Sequence, residues 1–180
     1  TYPEMQIIAT GSSSFTLANQ TGEPLTGRVY PFELFALSLS EIAGGDGYSA
    51  IQPKLEWLLR FGAYPSLLNV SEDEARTQLE ELVSNYLYKD VLLYLGVKKS
   101  SVLSNLLRLL ALQIGGEVVY PELGTQLGID RRTVANYIDI LEQCYIVFRM
   151  GALSRNLRKE VAKSQKIYFY DLGVRNALLQ

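Results

Sequence analysis

The sequence predicts a mainly α chain with a small β component, in which a helical region leads into a winged helix-turn-helix. Three observations carry that reading. Between residues 55 and 143 apolar side chains recur at helical spacing in several separate stretches. Two of these, 121–127 and 131–143, are separated by a short turn containing Gly128. Behind them lie two β-rich runs, 146–150 and 166–170, joined by a basic loop.

Met5 to Thr10 is a short apolar run with two isoleucines, stopped by Gly11 and three serines, and it predicts a buried strand feeding a loop. Ser14 to Asn19 predicts a brief helix before the turn-rich stretch 21–27. Val29 to Leu39 has β-rich, partly alternating character, with Pro31 favouring an edge position. The Gly44-Gly45-Asp46-Gly47 stretch is the best hinge or linker in the chain.

Beyond it the pattern is helical. Leu55, Leu58 and Leu59 follow a 3.6 period over 52–61, and Tyr64-Pro65 breaks the run. Ser71-Glu72-Asp73-Glu74 has the form of a capping box, in which the serine oxygen accepts an orphan backbone N–H and the glutamate reaches back. It predicts a helix over 72–94 with Leu79, Leu82, Val83, Tyr86 and Leu87 on one face. The acidic residues Glu72, Asp73, Glu74, Glu80 and Glu81 suit a first turn and a solvated face better than a cation site, so no metal is expected. A further helix over 102–115 carries Leu103, Leu106, Leu107, Leu110 and Ile114 as its core stripe and stops at Gly115-Gly116.

Pro121 to Leu127 then predicts a short helix, Gly128-Ile129 a tight turn, and Asp130 the cap of a longer helix ending near Gln143. Val134, Tyr137, Ile138 and Leu141 form its buried face. Arg131, Arg132, Thr133 and Asn136 lie off that stripe near the N-terminal end, where a recognition helix presents its base-reading groups. Arginine and asparagine read guanine and adenine edges. Against this, Asp139 and Gln143 continue the same face, and an acid beside phosphates is repulsive. Double-stranded DNA and a protein partner therefore both stay open for this surface. The loop between the two β-rich runs carries Arg155, Arg158, Lys159 and Lys163 against Glu160 and would form the wing.

Composition removes whole reaction classes. The chain is 48% hydrophobic and 20% charged, as globular proteins are. No apolar run reaches the ~18–20 residues of a membrane-spanning helix, so no membrane association is expected. With no histidine there is no Ser-His-Asp or Cys-His catalysis and no histidine-ligated metal. The single cysteine, Cys144, makes no internal disulfide and fits a reducing cytoplasm; beside Tyr145, Ile146 and Val147 it reads as a buried small hydrophobe. Residues 1–94 carry five Lys/Arg against twelve Asp/Glu, a net of −7, whereas residues 95–180 carry twelve against seven, a net of +5. That asymmetry suggests two units with different neighbours. No phosphate-binding loop is present, because the sequence has no Gly-Lys dipeptide and TGSSS at 10–14 lacks the required lysine. IYFYD at 167–171 has the look of an acidic strand but reads as a buried strand ending at a turn. The chain opens on Thr1-Tyr2-Pro3 against a strand-like run and closes inside an apparent helix, and it is expected to be a piece of a longer protein.

Four stretches taken together resemble a known arrangement. IIATGSSS at 7–14, LTGRVYPFELFALSLSEI at 25–42, LLRFGAYPSLL at 58–68 with NYLYKDVL at 85–92, and the tail from Thr125 through YFYDLG are similar to the prokaryotic AAA-type (P-loop) ATPases that carry a C-terminal domain of unknown function. The resemblance spans essentially the whole chain. It implies the last strands of a truncated α/β ATPase core over 1–45 and a helical lid or linker over 46–100. Residues 101–180 would then be a winged-helix domain and the start of a following domain, with a nuclease-like domain after Gln180. Thr10, Ser12 and Ser13 would be nucleotide-sensing residues near the γ-phosphate. Arg28 would be an arginine finger acting on a neighbour's nucleotide in a homo-oligomer, where its guanidinium stabilises charge on the transferring phosphoryl group. The alternative for Arg28 is a surface arginine pairing Glu23 or Glu33. ATP and Mg are implied for the full-length protein only, as a predicted ATP-driven molecular switch; this chain alone lacks the groups that hold them. Ala36 and the Ala63-Tyr64-Pro65-Ser66 stretch depart from the family pattern, which has proline and Gly-Tyr-Pro-Glu there.

Overall fold

The computed structural model describes residues 8, 10–11, 30, 32–85, 100–151 and 165–180. These form a mainly helical chain with one small three-stranded antiparallel sheet. The strand predicted over 5–10 and the brief helix at 14–19 lie outside the described residues, apart from Ile8 and Thr10.

The β-rich segment predicted to end at Leu39 is not a strand where it is described. Residues 32–38 are irregular, and helix α1 (Leu39–Ala43) starts inside the predicted run. The reason is a local signal that outweighs alternation: Ser38 accepts the backbone N–H of Glu41, and the Glu41 carboxylate accepts the backbone N–H of Ser38 at 2.8 Å. That is a complete capping box. Among the described residues no strand pairs with the segment; its Leu37 N–H instead donates to the Ala63 carbonyl at 2.9 Å. The glycine stretch after α1 turns tightly, with Gly44 at φ 57° and Gly47 at φ 69°.

Helix α2 (Leu55–Phe61) buries Leu58 and Phe61 and ends at Gly62. Trp57 lies across Phe61, and its indole N–H donates to the Leu67 carbonyl at 3.0 Å. Helix α3 (Glu72–Glu81) packs Ala75 and Leu79 against Phe61 and Leu67. Its cap is half of the predicted box: Ser71 accepts the Glu74 N–H at 3.3 Å, while the Glu74 carboxylate accepts from Gln78 instead of reaching back. Glu72 is held by both Arg60 nitrogens at 2.9 Å, which accounts for one member of the acidic cluster as an ion-pair partner. The helix continues through 82–85 in a wider, π-type turn, and the remainder of the predicted 72–94 helix lies outside the described residues.

The main core is built from three helices and the inner face of the sheet. Helix α4 (Ser100–Leu112) buries Leu103, Leu106, Leu107 and Leu110 almost completely, four of the five residues of the predicted stripe, while Ile114 lies half-buried in the turn past its end. After it come strand β1 (Glu117–Val118), helix α5 (Tyr120–Leu127), helix α6 (Arg131–Gln143), strand β2 (Val147–Met150) and strand β3 (Gln165–Phe169). The sheet order is β1-β3-β2, all pairs antiparallel, with Phe148 opposite Tyr168 and Val147 opposite Phe169. Val147, Ile167 and Phe169 face inward onto Val134, Ile138 and Leu141 of α6 and the α4 leucines. Each such side chain contributes about 1.5–3 kcal/mol by leaving water. Cys144 is buried in the same core.

Helix α7 (Leu172–Ala177) closes the chain against α2 through polar contacts. Asp171, only 5% exposed, ends the β3 run. One carboxylate oxygen accepts the Ala63 N–H at 2.7 Å, and the other accepts the Val174 N–H at 3.1 Å, capping α7. Asn176 donates to the carbonyls of Leu59 and Arg60 at 2.9 Å each, satisfying the end of α2, and Arg175 donates to the Ala111 carbonyl of α4. The packing leaves no room for side chains at two glycines. A Cβ at Gly173 would lie 2.1 Å from the Phe61 carbonyl oxygen, and one at Gly62, already at φ 79°, would lie 2.1 Å from Asp171.

Burial raises the Asp171 pKa above the ordinary aspartate range, against the lowering effect of backbone N–H groups from Ala63, Val174 and Gly173. A carboxyl whose folded pKa is raised contributes stability fully present below its unfolded pKa of about 3.9, and that contribution is lost as pH rises through the folded pKa. In an Asp171→Asn variant the side chain does not titrate, and its amide presents a donor to one of the backbone donors, costing about 1–3 kcal/mol. The unfolding free-energy difference between wild type and Asp171→Asn should therefore shrink as pH rises through the window and then level off. Urea unfolding of both proteins from about pH 3 to 7 measures it; a difference independent of pH contradicts this role of the buried carboxyl.

Candidate nucleic-acid or partner interface

The candidate surface is built on α5, its turn and α6. Gly124 of α5 is buried, and a Cβ there would lie 2.7 Å from the Ile129 carbonyl oxygen, so the turn closes directly onto the helix. Gly128 ends α5 in the left-handed conformation at φ 66° and ψ 34°, the region glycine enters without steric cost. Asp130 starts α6. Its carboxylate accepts the N–H groups of Arg132 at 2.8 Å and Thr133 at 3.0 Å, and the Thr133 hydroxyl at 2.7 Å. The Thr133 hydroxyl first, then these backbone groups, hold the Asp130 carboxyl below the usual range.

With Val134, Ile138 and Leu141 fully buried, the opposite side of α6 is fixed in solvent. Arg131, Arg132 and Asn136 are all exposed there, together near the N-terminal end. Thr10 is exposed in irregular chain, whereas Ser12, Ser13 and Arg28 lie outside the described residues, as do Arg155, Arg158, Lys159 and Lys163.

The charge that the sequence places against DNA contact has a partner. Asp139 is bridged by the Arg149 guanidinium at 2.7 Å, and the same group binds the Glu142 carboxylate through Nε and Nη2. The Arg149 backbone N–H also donates to Glu142 at 2.9 Å. Arg149 sits in β2 opposite Ile167, on the side of the strand that faces α6. Sequence reasoning misses it, because its distance from Asp139 depends on how the chain turns at 144–146. A lone arginine inside an otherwise apolar run (Ile146-Val147-Phe148-Arg149-Met150) is the available signal.

That turn has an unusual residue. Tyr145 follows α6 at φ 55°, the one positive φ outside glycine among the described residues. Its N–H donates to the Glu142 carbonyl and the Ile146 N–H to the Leu141 carbonyl, both at 3.0 Å. This is the pattern that normally recruits glycine. Around it stand Phe35 and Tyr170: Phe35 stacks on Tyr170 at 5.2 Å, Tyr145 meets Phe35 edge-on at 5.6 Å and Tyr170 edge-on at 6.1 Å, and Phe148 packs on Tyr170. Burial first, then the carboxylates of Glu142 and Glu33, push the Tyr170 hydroxyl pKa up.

Among the described residues no helix is long and apolar enough to cross a membrane. Among them, too, no group of three or more Cys, Asp or Glu side chains could hold a metal ion.

Comparison with known proteins places two segments. An AAA domain matches residues 1–43. An uncharacterized protein of Haemophilus influenzae is 23% identical over 178 residues, covering 94% of this chain and 44% of that protein. An uncharacterized protein of Methanocaldococcus jannaschii is 31% identical over 122 residues, covering 67% of this chain and 26% of its own length. One from Mycobacterium tuberculosis is 27% identical over 175 residues, covering 97% of this chain and 38% of that protein. The chain thus spans less than half the length of each of these relatives. No solved structure matches it. The match that decides the family covers residues 52–180, well over half of the chain, and on it the chain belongs to the family described as a domain of unknown function, DUF8612.

Proposed function

We propose that this chain is the lid and winged-helix portion of an AAA-type ATP-driven switch, and that the exposed side of α6 contacts duplex DNA. The AAA-domain match over 1–43 supports the first part. The order α4, β1, α5, α6, β2, β3 with sheet order β1-β3-β2 supports a winged-helix reading, the loop 152–164 being the wing. In the whole protein Thr10, Ser12 and Ser13 would sense nucleotide and Arg28 would reach a neighbouring subunit's ATP and Mg in a homo-oligomer. The chain by itself carries no lysine-bearing phosphate loop, so calorimetry with Mg-ATP should give no binding heat at micromolar concentrations. Saturable heat abolished by Ser12→Ala would show instead that the N-terminal segment forms a nucleotide site.

The observation that carries the duplex reading is the Arg149 bridge. With Asp139 and Glu142 both held by one guanidinium, one of the two negative charges is offset, and the repulsion that argues against phosphate contact is reduced. Arg131, Arg132 and Asn136 then face solvent beside a weaker opposing field. Protein docking is the second reading, and the same experiment separates the two.

Affinity for duplex DNA should come from Arg131 and Arg132 together with Arg155, Arg158, Lys159 and Lys163. Six phosphate contacts imply a log–log salt slope of about −5, roughly a thousandfold loss between 50 and 200 mM salt. Arg158→Ala with Lys159→Ala should flatten the slope, whereas Asn136→Ala should change sequence preference alone, since phosphate contacts carry no base information. Arg149→Met should weaken binding although Arg149 is turned toward α6, because it frees two carboxylates beside the contact face. A fluorescence titration at low salt measures each of these effects. No binding at tens of micromolar, on the scale of non-specific affinity, leaves the protein-docking reading in its place.

A further inference from the structure

We infer that residues 33–37 form a strap whose seating is sensed at the C-terminal end of α6, with Tyr145 as the receiving residue. The strap belongs to the segment matched by the AAA domain, and Tyr145 belongs to the DUF8612 unit. This coupling of one segment to the other does not depend on DNA binding.

Four observations meet at this place. Tyr145 occupies a left-handed position, φ 55°, where an aromatic side chain is sterically disfavoured and glycine is the usual occupant. Its side chain is engaged by the strap: the hydroxyl donates to Glu33 Oε1 at 3.0 Å, and the ring lies edge-on to Phe35. Phe35 in turn stacks on Tyr170, nearly parallel at 8°, and the Tyr170 N–H donates to the Ile146 carbonyl in the same turn. The far end of the strap is fixed by Leu37, whose N–H donates to the Ala63 carbonyl, on the residue whose own N–H is held by Asp171.

The strap is held from one side. Phe32 is 88% and Leu34 97% exposed, and although Glu33 and Phe35 also lie at the surface, the inward contacts are those of Glu33, Phe35 and Leu37. Strain at a backbone position persists where its surroundings over-determine it. Here the surroundings include the strap. When the strap is seated, ring contacts and a hydrogen bond offset the left-handed backbone of Tyr145. When it lifts, the strain remains and only the edge-on contact with Tyr170 is left to offset it, so the turn 144–146 loosens. Strand β2 starts directly after that turn and carries Arg149 to Asp139 and Glu142. Displacement of the AAA-matched segment is thereby felt at the charged side of α6.

A double-mutant cycle on the 180-residue chain tests this. Tyr145→Gly alone should lower the melting temperature, because it removes the ring and hydroxyl contacts. In a background carrying Glu33→Ala and Phe35→Ala the contacts to the strap are already absent and only the edge-on contact with Tyr170 remains, so Tyr145→Gly should raise it by about 2–4 °C by relieving the backbone. A shift of the same sign in both backgrounds overturns the inference. Amide hydrogen exchange gives a readout that does not depend on the triple variant folding. In Phe35→Ala the Tyr145 and Ile146 amides should exchange about tenfold faster than in wild type, while those of α4 stay unchanged. Unaltered exchange at 145 and 146 would also overturn it.

Discussion

The buried carboxylate of Asp171 is the constraint on which the arrangement of this chain rests. It is placed where strand β3 ends, α7 begins and the loop after α2 passes, and it accepts backbone N–H groups from both sides of that junction. Taking a carboxylate out of water is costly, and backbone donors that cannot move away are what make it tolerable. The glycines on either side follow from the same requirement. Gly62 and Gly173 leave the space that lets α2 and α7 approach until carbonyl and helix end are in contact. Asn176 and Arg175 then extend the junction to the last carbonyls of α2 and to α4.

Beyond that junction the molecule has two further features, one apolar and one polar. The apolar one is the main core, where α4, α5, α6 and the inner face of the sheet share one set of buried aliphatic side chains. The polar one is the division of α6 into a buried stripe and a solvated side whose acids are partly neutralised from β2. Arg149 performs that neutralisation from a half-buried position on the strand side that faces the helix, which makes its three ion-pairing nitrogens more effective than they would be in open solvent. A charged surface of this kind can be tuned from a distance, since it depends on how β2 is presented by the turn at Tyr145.

Much of this is legible in the sequence, for reasons that lie in the local character of helices. The stripes of α4 and α6 repeat every 3.6 residues, and Asp130 and Gly128 mark ends by chemistry that acts within four residues. Arg131, Arg132 and Asn136 can be placed in solvent simply because the other face of α6 is accounted for. Residues 32–38 read as β only while alternation is weighed above the Ser38–Glu41 box, and alternation needs a neighbouring strand that the described residues do not supply. The role of Asp171 is half visible: the turn can be expected, but its partner Ala63 lies 108 residues earlier and only the tertiary fold brings them together. Tyr145 gives no local signal at all, since the left-handed position it fills ordinarily announces itself by glycine or asparagine.

The central claim is that one buried carboxylate joins the α2 loop and α7 into a single cooperative unit. Native-state hydrogen exchange of the Ala63 and Val174 amides, donors to Asp171 from the two sides of the junction, tests it most directly. Both amides should be strongly protected and should lose protection together as denaturant is raised, following one opening reaction. Ala63 exchanging at the rate of an open loop while Val174 stays protected would contradict it.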